Sequence, residues 1–194
     1  MARPLTIGLT GGIAAGKSEA LAAFERLGAA TISSDAVVHE LLETGALLPR
    51  LVERWGAEVA PGGSVDRDRI GGIVFADPAE LNWLESQIHP LVGERIAAWL
   101  NSLPEGAEIA VVEVPLLFET GMEKVFDTTI AVIASDEARR ERAAARGHAL
   151  VDEREARQLA QEDKASRAEH VVENDGSVGD LERELSALVE KLLR

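Results

Sequence analysis

Gly11-Gly12-Ile13-Ala14-Ala15-Gly16-Lys17-Ser18 fits the pattern GxxxxGK[ST] of a phosphate-binding loop. Each position has a physical task. The glycines let the backbone turn sharply, so that successive N–H groups converge on phosphate oxygens. A helix that opens at Lys17 adds its positive N-terminal end. Lys17 can reach the β- and γ-phosphates, and the Ser18 hydroxyl can ligate Mg²⁺. We assign Gly11, Gly12, Ile13, Ala14, Ala15, Gly16, Lys17 and Ser18, with Glu19 in the first helical turn, to a nucleoside triphosphate. The context agrees. An apolar run, Leu5–Thr10, precedes the loop, and Leu21, Phe24 and Leu27 recur at helical spacing behind it before Gly28 supplies a stop.

Outward from the loop, short apolar runs alternate with helical patterns, the signature of a parallel sheet with crossover helices. Ala29–Ser33 reads as a second strand, with Asp35 at a helix N-cap before Ala36–Thr44. From about residue 45 to 105 the pattern is helical, with Pro61-Gly62-Gly63 as a turn, Asp77-Pro78 opening a helix, and Pro90 breaking that helix or starting another. Strand patterns return at Ile109–Val114 and Thr128–Ala134, charged helices at Asp136–Arg146 and Glu153–Arg167, and a short strand at Val171-Val172. Val178, Leu181, Leu185, Leu188 and Leu192 form the apolar stripe of a last helix. The expected fold is α/β: a phosphate-binding-loop core of three α/β/α layers around a parallel sheet (about residues 1–34 and 106–194), with a helical insertion at about 35–105.

The 194 residues carry 20 Lys and Arg against 34 Asp and Glu, a net charge of −14. That balance argues against broad nucleic-acid or anionic-membrane binding. Any positive charge that meets an anionic ligand has to be concentrated at one site. With no cysteine there is no disulfide framework, thiolate zinc site or cysteine nucleophile. No apolar stretch approaches the ~20 residues that span a bilayer. The N-terminus runs directly into the first strand and does not read as a signal peptide. The expected setting is the cytoplasm, and the expected state a monomer or weak homo-oligomer. The absence of DxxG after a second strand and of NKxD argues against a switch GTPase, and the size suits a small-molecule kinase.

Gly8-Leu9-Thr10-Gly11-Gly12-Ile13, Ile88-His89-Pro90 and Val114-Pro115-Leu116-Leu117-Phe118-Glu119 together resemble the dephospho-CoA kinase family. So does the tail, where Gln158 and Lys164 precede Ala168-Glu169-His170-Val171-Val172-Glu173-Asn174-Asp175-Gly176. The resemblance covers about residues 5 to 180. It implies a nucleotide core, a helical coenzyme-A-binding insertion, and a lid at about residues 139–166. It implies transfer of the ATP γ-phosphoryl group, with Mg²⁺, to the ribose 3′-hydroxyl of 3′-dephospho-CoA, as the last step of CoA biosynthesis. One departure stands out: the family usually carries Asp-x-Asp after the second strand, and Ser33-Ser34-Asp35 puts Ser33 in the place of the first acid.

On this reading the catalytic group is Asp35, Lys17 and Arg142. A carboxylate at Asp35 can orient the acceptor hydroxyl and take its proton, or simply cap a helix. Glu113, ending a buried-type strand, joins Ser18 as a metal-site candidate, or is only a charged strand end. Arg142 and Arg146, four apart on one helix face, can neutralise the transferring phosphoryl group or belong to a solvated face. His89, Leu116, Leu117, Phe118 and Glu119 are candidates for the acceptor. The alternatives for them are a helix break at His89-Pro90 and a loop that docks the insertion. Asn174 and Gly176 lie on a plausible adenine-binding edge or an ordinary turn. Two rivals remain: another P-loop kinase acting on a nucleoside or nucleotide, and a nucleotide-binding module with impaired catalysis.

Overall fold

The computed structural model describes residues 3–145 and 158–194. Five strands form one parallel sheet: β1 (Leu5–Gly11), β2 (Ala30–Ser33), β3 (Ile109–Glu113), β4 (Thr128–Ile133) and β5 (His170–Glu173), in the order β2-β3-β1-β4-β5. β1 is central, registered with β3 (Leu9 opposite Glu113) and with β4 (Gly11 opposite Val132). A strand flanked on both sides and covered on both faces is mostly apolar, and β1 is buried from Thr6 to Gly11, its two threonines Thr6 and Thr10 hydrogen-bonded to Asp127 and the Pro115 carbonyl.

Alternation of side chains splits β1 between two faces. Ile7 and Leu9 join Ile109, Val111, Ile130 and Val132 in a core closed by Phe24 of α1 (Lys17–Arg26) and by Leu181 and Leu185 of α8 (Val178–Leu192). α8 starts with a reciprocal cap: Asp180 N donates to Ser177 Oγ, and Ser177 N donates to Asp180 Oδ2. On the opposite face Gly8 gives room to Leu117 and Phe126, on which a Cβ there would impinge. α6 (Asp136–Ala145) follows β4, and α7 (Gln161–Arg167) precedes β5.

The chain divides into two compact units: one up to Ser33 and from Leu103 onward, the other Ser34–Ser102. The second is helical, with α2 (Ser34–Glu43), α3 (Leu48–Trp55), α4 (Arg67–Ala76) and α5 (Pro78–Asn101). Trp55 meets Trp83 edge to face at 5.1 Å, and its indole N–H donates to Glu80.

Local expectations shift in three places. α5 runs unbroken through Pro90, because Leu84, Ile88, Val92 and Ile96 all lie on its buried face. Burial of four such side chains, at ~1.5–3 kcal/mol each, outweighs the ~3 kcal/mol of an internal proline. α2 opens at Ser34, so Asp35 stands in its first turn instead of capping it. Ser33, registered with Glu113 in the sheet, directly precedes the helix, so β2 passes into α2 with no intervening loop. Of the helix expected over Glu153–Arg167, residues 153–157 lie outside the described residues; Gln158–Ala160 is not helical, the Leu159 N–H donating to the Glu119 carboxylate, and a helix runs from Gln161 to Arg167.

Candidate active site

The phosphate-binding loop leaves the carboxyl end of the central strand, the edge where open α/β sheets receive ligands. Its turn is closed by Gly12 N to Val132 O and Ala15 N to Gly12 O, both 3.3 Å. Gly16, at φ 102°, takes the left-handed conformation as α1 starts, and a Cβ there would collide with the Asn174 amide. This position therefore requires glycine twice over, for its dihedral and for its neighbour.

Three side chains hold the outside of the loop. Asn174 Nδ2 donates to Ala15 O at 2.8 Å, Arg142 donates to Ala15 O at 3.3 Å and Asn174 O at 2.7 Å, and Arg139 Nε donates to Ile13 O at 2.9 Å. In a trans peptide the N–H points opposite to the carbonyl it adjoins. With the Ile13 and Ala15 carbonyls drawn outward, the Ala14 and Gly16 N–H groups are turned the other way. That arrangement is a concave nest suited to an anion, next to the N-terminus of α1. Lys17 bends back over the loop, its Nζ donating to Gly12 O at 3.0 Å and Gly11 O at 3.4 Å. Ser18 is exposed in the first turn of α1, and Glu19 is ion-paired with Arg26 at 3.0 Å. A cavity of about 250 Å³ adjoins Gly12 and Ile13, lined further by Arg139 and by Gln158 to Glu162.

Glu113, 7% exposed, ends β3 between Leu9 of β1 and Ser33 of β2. The chain then forms a turn in which Leu117 and Phe118 are buried and Leu116 is half-buried. The Pro115 carbonyl accepts from Thr10 Oγ1 at 3.2 Å and Lys164 Nζ at 2.5 Å. Glu119 Oε1 accepts from Leu159 N at 2.8 Å and pairs with Lys164 at 3.2 Å. Burial pushes the Lys164 ammonium below the usual lysine range, and Glu119 opposes that shift. Asn174 is buried, and a Cβ at Gly176 would come within 2.9 Å of the Asp180 carboxylate.

The fold thus gathers the Gly11–Ser18 loop, Glu113, the Pro115–Glu119 turn, Arg142 and Asn174 within one unit. Asp35 and His89 are exposed residues of the helical unit, on α2 and α5. Arg146, and with it the middle of the expected lid, lies outside the described residues. Arg139 and Gln161, which touch the loop, were not among the expected site residues, and Lys164 carried no expected role. Of these, only Lys164 carries a signal in the sequence, through the order Gln158, Lys164, Asn174 in the tail.

The family model described as CoaE, dephospho-CoA kinase, matches residues 5–180. A protein of Synechococcus sp. (strain CC9902) named dephospho-CoA kinase is 39% identical over 94% of each chain. A solved structure from Thermus thermophilus, 36% identical, superposes with a TM-score of 0.84 over 98% of this chain and 99% of that one. Dephospho-CoA kinase from Campylobacter jejuni, at 24% identity, shares the fold, with a TM-score of 0.67 over 98% of both chains.

Proposed function

The chain belongs to the dephospho-CoA kinase family, and from that premise we propose that it phosphorylates the ribose 3′-hydroxyl of 3′-dephospho-CoA with ATP, giving CoA and ADP. The observation that carries this reading is the anion nest at Gly11–Ser18, with Lys17 arched over it. The nest receives the donor phosphates. Lys17 leaves its carbonyl partners for the β- and γ-phosphates, and Arg142 closes the nucleotide side next to Asn174 and Gly176. Asp35 accepts the proton of the acceptor hydroxyl as its oxygen attacks the γ-phosphorus and ADP departs. His89 and the Leu116–Glu119 turn take part in holding the acceptor.

Mg²⁺ needs only one or two protein oxygens besides phosphate and water. Ser18, an exposed hydroxyl, and Glu113, a carboxylate on the strand beside β1, are hard oxygen donors of that kind. Such an ion offsets charge on the phosphates. The same reading puts the protein in the cytoplasm as a monomer or weak homo-oligomer, without nucleic-acid or membrane partners. No helix among the described residues is long and apolar enough to cross a membrane.

The test is ADP release from Mg²⁺-ATP with and without 3′-dephospho-CoA, with CoA measured as product. Equal acceptor-dependent ADP and CoA are expected. ATP binding without CoA formation would overturn the proposal in favour of another acceptor or an inactive module.

A further inference from the structure

Lys164 is fully buried, and that is costly: an ammonium taken from water loses several kcal/mol of hydration unless each of its protons finds an acceptor. An ammonium has three donors and no acceptor. Here all three are engaged, by the Pro115 carbonyl at 2.5 Å, the Gln158 amide oxygen at 3.3 Å and Glu119 at 3.2 Å. No proton is left for a phosphate, so Lys164 does not act as a second P-loop lysine.

Its partners show what it does instead. Pro115 and Glu119 bracket the turn after β3, and Gln158 lies in the segment that leads into α7. α7 is itself fixed in register one turn earlier. Gln161 donates to Ala134 O at 2.9 Å and accepts from Ala134 N at 3.2 Å, in the manner of an added strand residue at the end of β4. The same side chain sits against Gly12, where a Cβ would be 3.0 Å from it. Gln161 and Lys164, three apart on α7, therefore tie the donor loop and the turn after β3 to one helix. A hydrophobic residue of Lys164's size could fill the space, but it would leave the half-buried Glu119 carboxylate without its partner and could not hold the Pro115 carbonyl.

We propose that Lys164 is a positioning residue for the acceptor, its buried ammonium holding the Pro115–Glu119 turn in the shape that receives 3′-dephospho-CoA. This rests on the acceptor role proposed above for that turn. Lys164 touches neither substrate, and its effect passes through Pro115 and Glu119.

The experiment is steady-state kinetics of Lys164→Met with each substrate varied in turn, together with thermal unfolding and calorimetric ATP binding. Loss of a hydrogen-bonded charge corresponds to about a tenfold or larger rise in acceptor KM, with ATP affinity changed by less than about twofold. Equal changes in both substrates' parameters, or an unchanged acceptor KM in a folded variant, would overturn it. If Lys164→Met does not fold, Gln158→Ala keeps the ammonium and removes one of its acceptors. The expected result is then a rise of roughly threefold in acceptor KM alone, and no rise overturns the proposal. Wild-type enzyme is run alongside. Failure of the wild type to form CoA refutes the kinase reading, whereas normal wild-type turnover with an indifferent variant refutes only the role of Lys164.

Discussion

Gly16→Ala tests the loop geometry through two separable penalties. The first is the backbone, since an L-residue at φ 102° carries ~1–3 kcal/mol of strain. The second is the collision of the new Cβ with the Asn174 amide. If Asn174 turns away, its buried amide loses Ala15 O, at ~1–3 kcal/mol. Together these predict ~2–6 kcal/mol of destabilisation, or roughly 4–24 °C in Tm at ~2–4 °C per kcal/mol for a chain of this size. Asn174→Ala alone loses only the hydrogen bond, at ~1 kcal/mol, because Arg142 still serves Ala15 O. In Gly16→Ala/Asn174→Ala the collision is gone but the strain remains, so the double variant should be more stable than the sum of the single losses by ~1–2 kcal/mol. Urea unfolding of the wild type and three variants measures this, and ATP titration of each follows the nest. Additivity within ~0.5 kcal/mol would refute the packing of Asn174 against Gly16, and with it this account of how the loop is held.

Lys17→Met should leave the fold intact and lower turnover by ~10²–10³-fold, as expected for removal of one preorganised electrostatic donor, which single-turnover kinetics measures. Asp35→Asn should lower turnover by ~10²–10⁴-fold with ATP affinity nearly unchanged, and near-normal turnover would return Asp35 to a helix-terminus role. At the other end of the sheet, Arg3 and then Thr6 hold the Asp127 carboxyl down from 3.8 to about 2. A depressed carboxylate stabilises the fold above its ordinary value, and that contribution is lost as pH falls from about 3.8 toward 2. Asp127→Asn should therefore lower Tm near neutral pH, with the difference from wild type shrinking across that acid window, as a Tm–pH series would show.

The loop, the parallel sheet and the helical insertion were legible because each rests on a local pattern. The glycine spacing names the nest, continuous apolar runs name buried strands, and steps of three and four name helices. Boundaries slipped where a distant partner decided them. Across Pro90 the steps of four from Leu84 through Ile88 and Val92 to Ile96 favour a continuing helix and the proline opposes it, and the outcome depends on what those four side chains find to pack against. The segment 158–160 looks helical in its composition, yet its backbone is spoken for by Glu119, 40 positions earlier.

The site was legible to the same depth. Lys164 stands in the run Gln161-Glu162-Asp163-Lys164, which reads as a solvated charged helix face, and only the chain's return past Pro115, 49 positions away, buries it. Likewise the motif names the nest without shaping it. The Ile13 and Ala15 carbonyls are turned outward by Arg139 and Asn174, which lie 126 and 159 positions further along. Such donors set the loop before a nucleotide arrives, so the entropy of ordering it is met by folding and not by binding. A GxxxxGK[ST] match in isolation therefore identifies a ligand class, while the readiness of this loop for phosphate belongs to α6 and to the end of β5. Substitutions in those elements should weaken ATP binding although they lie outside the motif.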